Sequence, residues 1–316
     1  MFSALKRLLL TSLLLTLFAG SSAQASDTLA YYSDYFSFIG QDEKGYLLFA
    51  LDSNRGVDQD EFQAEHFGVL YDQDQGWIDL VGTGEYTNPR GILDKIPDSE
   101  AFQFSGRPAS GITLRSRVND LRLEINPLTT RLEENSGERR QKWGNAAAVL
   151  YWQGRIVPGR VIYEGLVQHN LNRLSRSGSG AWDNFQGFYL AVQKNSPSAW
   201  QDLYLHTEGT KKNRASKGFR DTHTVQQNIF SPDLEITKKS WALGFYRWSK
   251  GWRMSLQEAA TNEGLAPPFA ALTLQQISRK NISNWVIGGF AMSVVQGTLE
   301  IDGRQTKVLG FAELIK

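Results

Sequence analysis

The sequence predicts an all-β protein, and three observations support this fold class. Short runs rich in β-branched and aromatic residues recur along the whole chain, separated by clusters of Gly, Asn, Asp and Ser, which is the spacing of a β-sandwich or a β-barrel. Asp302 and Gly303 stand between two alternating apolar stretches, which is a strong signal for a tight hairpin. No long stretch shows the 3.6-residue period of an amphipathic helix.

The predicted strands follow one another in order, with turn residues between several of them. Short helices are expected only over residues 131–140 and 272–279. Turns are predicted at residues 52–56, 72–76, 249–251 and 302–303. The strands are predicted at residues 45–51, 66–71, 77–81, 111–118, 121–125, 146–152, 160–169, 186–192, 202–206, 241–248, 252–257, 285–299 and 307–314.

Residues 1–25 have the pattern of a cleavable export signal. Lys6 and Arg7 precede an apolar run over residues 8–18, and small residues mark a cleavage site at Ala25. The apolar run is shorter than the roughly 20 residues that span a bilayer, and no later run approaches this length. We therefore expect a mature chain without a transmembrane segment, located in the periplasm or secreted.

Composition excludes several classes of chemistry. Cysteine is absent, so thiol catalysis, thiolate metal sites and disulfides are excluded, and a mature chain of roughly 290 residues must bury its core without them. The net charge of +1 falls by two, to −1, once Lys6 and Arg7 are removed, which argues against a nucleic-acid partner. A basic run over residues 211–220 is interpreted either as a solvated loop or as a contact for an anion or a lipid headgroup.

A short internal echo predicts two β-domains of similar length. Residues 161–164 and 308–313 both end a β-run on an aromatic residue and a glutamate. Each could close one domain, and the boundary is placed at the Pro158-Gly159 region. The predicted organisation is a signal peptide at 1–25, an N-terminal β-domain at 26–157 and a C-terminal β-domain at 158–316.

The stretch from Gly159 to Asn170 is strand-like and carries groups that can move a proton. Successive side chains of a strand point to opposite faces, so Tyr163 and His169 share one face and Glu164 lies on the other. His169 is a candidate general acid or base, or else a hydrogen-bonded structural residue. Glu164 is a second candidate, because a β-bulge at Gly165 would re-aim it into an apolar pocket; otherwise it forms a salt bridge or an edge charge.

A second candidate segment follows the Ser- and Gly-rich stretch at 175–180. Trp182, Phe188 and Tyr189 would supply an aromatic wall at the mouth of a ligand cavity, and Asp183 shares a strand face with Tyr189. The alternative is ordinary strand core, because aromatic residues favour strands. Glu65-His66 and the row Asp202, Tyr204 and His206 are weaker candidates, and the row is interpreted as a polar outer face over an apolar inner one.

Other reaction types lack their sequence motifs. There is no His-Glu-x-x-His or His-x-His spacing, no Gly-x-Ser-x-Gly elbow, no P-loop and no dinucleotide-binding fingerprint. With four scattered histidines, a dedicated metal site is not expected, and no cofactor is expected either.

Several passages resemble the CrtC/AttH-type lipocalin-like family. They are residues 33–51, 160–172, 186–206 and 297–314, which together span most of the mature chain. The resemblance implies two tandem lipocalin-like (calycin) antiparallel β-barrels with minor helices, and a ligand site in or between them. The family includes carotenoid 1,2-hydratases, which add water across an isoprenoid double bond by acid/base chemistry without a cofactor. The match would make His169 a proton-transfer residue, although Leu171 stands where the hydratases have tryptophan.

These observations lead to two main functional hypotheses. The first is an exported lipocalin-like protein that binds a hydrophobic small molecule, of lipid or isoprenoid type, with Tyr163, Trp182, Phe188 and Tyr189 as contacts. The alternative is a cofactor-independent hydratase, lyase or isomerase in which His169 and Glu164 or Asp183 exchange protons. A third class is an accessory subunit with a partner in an envelope transport system.

Overall fold

Strands dominate the computed structural model of this chain and form two antiparallel sheets. The structure describes residues 30–58, 61–80, 84–87, 96–116, 118–135, 137, 139–169, 185–194, 199–210, 213–222, 225–231, 233–242, 246–258, 267–285 and 288–315. The strands of the first sheet are β1 (Ala30–Asp42), β2 (Gly45–Asp58), β3 (Glu61–Asp72), β4 (Gly76–Ile78), β5 (Gly84–Thr87), β6 (Phe102–Arg107), β7 (Gly111–Ser116), β8 (Leu121–Ile125), β9 (Thr129–Asn135), β10 (Arg139–Trp152) and β11 (Arg155–His169). Those of the second are β12 (Phe185–Val192), β13 (Gln201–Thr210), β14 (Asn213–Thr222), β15 (Val225–Phe230), β16 (Leu234–Ala242), β17 (Tyr246–Glu258), β18 (Ala270–Trp285), β19 (Gly288–Ile301) and β20 (Arg304–Ile315).

The connectivity of both sheets is that of curled antiparallel barrels. The first sheet runs in the order β4-β3-β2-β1-β11-β10-β8-β7-β6, with β5 added to β3 and β9 to β10. The second runs in the order β15-β14-β13-β12-β20-β19-β18-β17-β16, and an extra pairing of β15 with β17 closes a ring that leaves β16 outside. In each sheet the first strand pairs with the last, which brings the ends of the sequence segment together as an up-and-down barrel requires. We call them the first and the second barrel.

Strand parity separates three apolar clusters. One face of the first sheet fills the first barrel with residues such as Phe36 and Phe49, and one face of the second fills the second barrel, with Trp252 near its centre. The opposite faces pack against each other, so Ile162 of the first barrel and Phe311 of the second belong to one shared cluster. The two barrels are therefore joined by a buried apolar contact as well as by the chain.

The predicted minor helices are wrong. Residues 131–140 lie mostly in β9 and at the start of β10, and residues 272–279 lie within β18. Along β18, Leu272 and Leu274 are buried while Ala271 and Gln275 are exposed, which is the two-residue period of a strand with one face on a core. The all-β fold class is confirmed, and no helix occurs among the described residues.

Two of the predicted turns are confirmed and two are wrong. Asp302 and Gly303 have φ of 50° and 74° and join β19 to β20 as a two-residue hairpin, and residues 73–75 turn between β3 and β4. Residues 52–56 lie instead within β2 and residues 249–251 within β17. Residues 52–56 pair with β1 and β3 along their whole length, and residues 249–251 pair with β16 across an irregularity in register, so strand pairing holds these polar stretches extended against their local turn preference.

The chain passes from the first sheet to the second between His169 and Phe185. The predicted boundary after residue 157 falls inside β11, and all of β11 pairs with β1 and β10 of the first sheet. The predicted signal peptide at 1–25 lies outside the described residues. Among those that are described, no helix is long and apolar enough to cross a membrane.

Candidate functional site

A cavity of about 790 Å³ lies in the first barrel, at the end where β1 begins and β11 finishes. About half of its wall is apolar or aromatic, and the polar half comes mainly from charged side chains. A volume of this size lies within the range of small-molecule binding sites. The residues that line it are Tyr32, Ser33, Asp34, Arg55, Ile96, Phe104, Ser105, Gly106, Arg107, Pro108, Ile112, Arg140, Lys142, Tyr163, Gly165, Leu166 and Val167.

Three polar side chains form what we call the cavity cluster: Asp34, Arg55 and Tyr163. Arg55 Nη1 donates to Asp34 Oδ2 at 2.8 Å, and the Tyr163 hydroxyl donates to Asp34 Oδ1 at 2.5 Å. Only 3% of the Arg55 side chain and 11% of the Asp34 side chain are exposed. Burial and the nearby Asp34 carboxylate raise the pKa of Tyr163 well above its usual value, so its hydroxyl stays protonated and orients the carboxylate.

Gly165 explains how Tyr163 reaches Asp34. Asp34 is directly opposite Gly165 in the β1–β11 pairing, and Tyr163 lies two residues earlier on the same face of β11. The Tyr163 ring lies along the strand over Gly165, and a Cβ at that position would overlap the phenol oxygen. The predicted β-bulge at Gly165 is wrong, because the register with both neighbouring strands is continuous there. The glycine makes room for a ring instead of bending the strand.

His66 lies inside the first barrel beside Phe104, which lines the cavity. Its Nε2 is 3.0 Å from the carbonyl oxygen of Pro97, and its ring centroid is 5.1 Å from that of Phe104. Burial lowers the pKa of His66 to about 4, despite its hydrogen bond to Pro97. The imidazole is therefore neutral at pH 7, and Nε2–H donates to the carbonyl.

A second polar group lies on the opposite face of β11, between the barrels. We call it the interface cluster, and its members are Gln141, Glu164, Tyr189, Tyr204, His206 and Glu313. Glu164 Oε1 accepts from Gln141 at 2.7 Å, and Oε2 accepts from Tyr189 at 3.0 Å and from Tyr204 at 3.3 Å. The Tyr189 hydroxyl is also 3.2 Å from Glu313 Oε2. Every one of these side chains is buried.

His206 completes the interface cluster. Its Nδ1 is 3.1 Å from the Tyr204 hydroxyl, and its ring stacks on Trp143 at 5.2 Å and on Phe185 at 5.9 Å between centroids. Burial lowers the pKa of His206 to about 4, although Glu164 opposes this shift. If Tyr204 donates to Glu164, its oxygen accepts from Nδ1–H of the neutral imidazole. His206 of the second barrel then donates to Tyr204, and Tyr204 donates to the Glu164 carboxylate of the first barrel.

Ion pairs also cross the contact between the barrels. Arg160 of β11 pairs with Asp202 of β13 at 2.5 Å, and Arg131 of β9 pairs with Asp221 of β14 at 2.7 Å. Asn145 donates to both carboxylates. Burial raises the pKa of Asp202, and the attraction of Arg160 opposes this shift. The row Asp202, Tyr204 and His206 is thus an outer face of the second barrel as predicted, but the first barrel covers it.

The structure separates the site residues that the sequence grouped. Tyr163 lines the cavity, Glu164 and Tyr189 belong to the interface cluster, and Phe188 lies in the second barrel's core, with its ring 5.6 Å from that of Trp252. The backbone of His169 pairs with Ala30 at the cavity end of β11. The side chain of His169 and the whole of Trp182 and Asp183 lie outside the described residues.

Sequence patterns predicted neither Asp34 nor Arg55 as a site residue, and they predicted His66 only as a weaker candidate. The local sequence predicts a turn at Arg55, and Asp34 lies in a segment that stands out only by its resemblance to the family. Alternation along the strands could have predicted that these two side chains face into the barrel. Asp34 lies on the same strand face as the inward-facing Phe36, and Arg55 lies on the same face as the inward-facing Leu51. No group of three or more His, Asp or Glu side chains placed to hold a metal ion occurs in the part of the chain that the structure describes.

No family model matches the chain, and no curated protein matches it either. Two solved structures are similar over most of both chains. An AttH protein from Nitrosomonas europaea is 9% identical, with a TM-score of 0.56 over 91% of this chain and 92% of its own. Kievitone hydratase from Nectria haematococca is 8% identical, with a TM-score of 0.57 over 90% of this chain and 88% of its own. This chain therefore has the two-barrel fold that its resemblance to the CrtC/AttH-type lipocalin-like proteins implied.

Proposed function

We propose that the first barrel binds a hydrophobic small molecule that carries a polar group. The observation that supports this function is the cavity itself, in which a buried, hydrogen-bonded cluster of three polar side chains lies beside the apolar and aromatic side chains that form about half of the wall. Apolar lining with a few convergent polar groups is the usual composition of a ligand pocket, because burial supplies affinity and the polar groups fix orientation. A lipid or an isoprenoid is the class of ligand that fits this description.

Binding is tested with retinol, a fluorescent isoprenoid alcohol, and the delipidated protein. We expect saturable fluorescence enhancement that is weakened in Val167→Trp, because a larger side chain at this lining position occupies part of the cavity. Ile156→Trp is the matched control, since Ile156 lies on the same strand, is 63% exposed and is far from the cavity. Equal binding by both variants would show that retinol does not occupy this cavity.

A second candidate function is a cofactor-independent hydratase, lyase or isomerase. It is favoured by the hydrogen bond from Tyr163 to Asp34 at the cavity wall, because a carboxylate held by Arg55 and a phenol can accept a proton from a bound substrate or water. The fold likeness to kievitone hydratase is consistent with this class of reaction. His169, at the cavity end of β11, remains a predicted proton-transfer residue.

Enzymatic activity is separated from binding by conservative substitution. We expect Asp34→Asn to abolish turnover while retinol binding changes little, and His169→Ala to lower turnover if this side chain also transfers a proton. Unchanged turnover in Asp34→Asn would exclude the carboxylate as the base.

The accessory-subunit hypothesis is supported only if the wild-type protein binds no small molecule and its stability depends on a protein partner. Export through residues 1–25 is also a proposal, tested by the N-terminal sequence of the protein recovered from the cell envelope.

A further inference from the structure

Two strands of the first barrel place charged side chains on either side of Gly165. Lys142 of β10 and Asp34 of β1 are both directly opposite Gly165, so the three positions form one row across the sheet. Neighbouring strands lie about 4.8 Å apart, which separates the two outer positions by about 10 Å. Gly165 has no side chain, and the Tyr163 ring that lies over it fills the centre of this row, with its hydroxyl donating to the carboxylate of Asp34.

Lys142 and Arg107 are the cations of this cavity that lack a counter-ion. Neither has an ion-pair partner in the described part of the chain, and Lys142 is only partly exposed. Glu133 is directly opposite Lys142 on β9, but its carboxylate pairs with Arg140 at 2.7 Å. A partly desolvated ammonium without a partner is unfavourable, so a bound anion would stabilise it.

The one carboxylate that lines the described cavity is already engaged. Asp34 accepts from Arg55 through one oxygen and from Tyr163 through the other. The positive charge of Arg55 already offsets that of Asp34, and the described lining holds no further carboxylate to balance Lys142 or Arg107. The lining consequently holds unbalanced positive charge on the side of β10 and of the β6–β7 hairpin, while Ile96, Ile112 and other apolar side chains supply about half of the wall.

We infer that the ligand of the first barrel is an anionic amphiphile, whose carboxylate or phosphate group contacts Lys142 and Arg107 while its hydrocarbon part lies along the apolar wall. This inference rests on the proposed binding function and adds the charge of the ligand to it. A charge-assisted hydrogen bond to a partly buried cation is stronger than a hydrogen bond between neutral groups. The cavity should therefore bind an anionic headgroup more tightly than an uncharged one.

The inference is tested by competition against retinol with three ligands of the same chain length: dodecanoate, dodecyl phosphate and dodecanol. We expect at least one of the two anions to bind about tenfold more tightly than the alcohol, which corresponds to one charge-assisted contact. Lys142→Met and Arg107→Gln should each reduce this preference, and Lys142→Glu should reverse it. Added salt should weaken the anions and leave the alcohol unchanged.

The controls are cations that face away from the cavity. Arg115→Gln changes an exposed arginine on the outer face of β7, and Lys250→Met an exposed lysine of the second barrel, so both should keep the anion preference. Equal affinity of alcohol and anions in the wild type, or a preference that survives in the double variant of Lys142 and Arg107, would overturn the inference and leave the binding function intact. Failure of retinol and all three ligands to bind would instead count against the proposed function.

Discussion

The cavity cluster and the interface cluster begin at neighbouring residues, Tyr163 and Glu164, but they have opposite surroundings. Tyr163 points into a cavity of about 790 Å³, whereas Glu164 points into the closed contact between the barrels. Both clusters join a carboxylate to a tyrosine, so the chemistry of the residues does not distinguish them. The free volume beside them does. A ligand can reach Asp34 and Tyr163, while the partners of Glu164 are fixed side chains, which makes the first cluster a candidate site and the second a structural joint.

The largest expected effect is on the structural joint. Glu164→Ala removes the acceptor of three hydrogen bonds and leaves Gln141 and Tyr204 buried with unmade bonds, while Tyr189 keeps Glu313 as an acceptor. We expect the free energy of unfolding, measured by urea denaturation, to fall by about 3–5 kcal/mol. Glu235→Ala, which breaks an exposed pair with Arg253, should cost less than about 1 kcal/mol. A comparable small loss in Glu164→Ala would show that the interface cluster does not hold the barrels.

The two buried histidines predict a loss of stability in acid. Each pKa is lowered to about 4 in the folded protein, against about 6.5 in the unfolded chain, so the unfolded state binds more protons as the pH falls through this window. The free energy of unfolding is therefore highest above about pH 6.5. Between pH 7 and pH 5, each histidine should lower it by about 2 kcal/mol. Urea denaturation at the two pH values measures the change.

The contribution of each histidine to the acid sensitivity is measured with one variant at each of the two positions. His206→Gln and His66→Gln will each lower stability at pH 7, but the fall between pH 7 and pH 5 should be smaller than in the wild type by the share of the removed histidine. A fall that is unchanged in both variants would show that other groups carry the acid sensitivity.

An intermediate effect is expected at the glycine that shapes the cavity cluster. Gly165→Ala places a methyl group where the Tyr163 ring lies, so the ring must move away from Asp34. We expect a loss of about 1–3 kcal/mol in stability and about tenfold weaker retinol binding. The same substitution in a Tyr163→Ala background should cost much less, because the ring it displaces is absent. Additive effects of the two substitutions would contradict this account.

The smallest effect is expected from matched removal of one hydroxyl in each cluster. Tyr163→Phe should cost about 1 kcal/mol or less, because Asp34 keeps Arg55 and the cavity can admit water. Tyr189→Phe should cost more, about 2 kcal/mol, because its hydroxyl contacts both Glu164 and Glu313 in a closed contact. Equal losses, compared by thermal or urea unfolding, would mean that the two surroundings are energetically alike.

Some features of the fold and the site could be predicted because they depend only on residues that are close together in the sequence. Alternation along β11 correctly placed Tyr163 and Glu164 on different faces, and the Asp302-Gly303 hairpin followed from the residues that tolerate positive φ. The turn predicted at residues 52–56 failed because pairing with β1 and β3 overrode local preference and carried Arg55 into the barrel. The helix predicted at 272–279 failed for the same reason, since pairing of β18 with β17 and β19 sets its period.

The sequence by itself determined the fold class, the faces of the central strand and the family whose fold the chain has. Only the tertiary structure decided which polar residues meet. Tyr163 and Asp34 are 129 residues apart, and Arg131 and Asp221 are 90 apart, so their contacts depend on strand order, on register and on how the barrels pack. Periodicity tells which face of a strand a side chain occupies, but whether that face borders a cavity or another barrel is a property of the whole molecule.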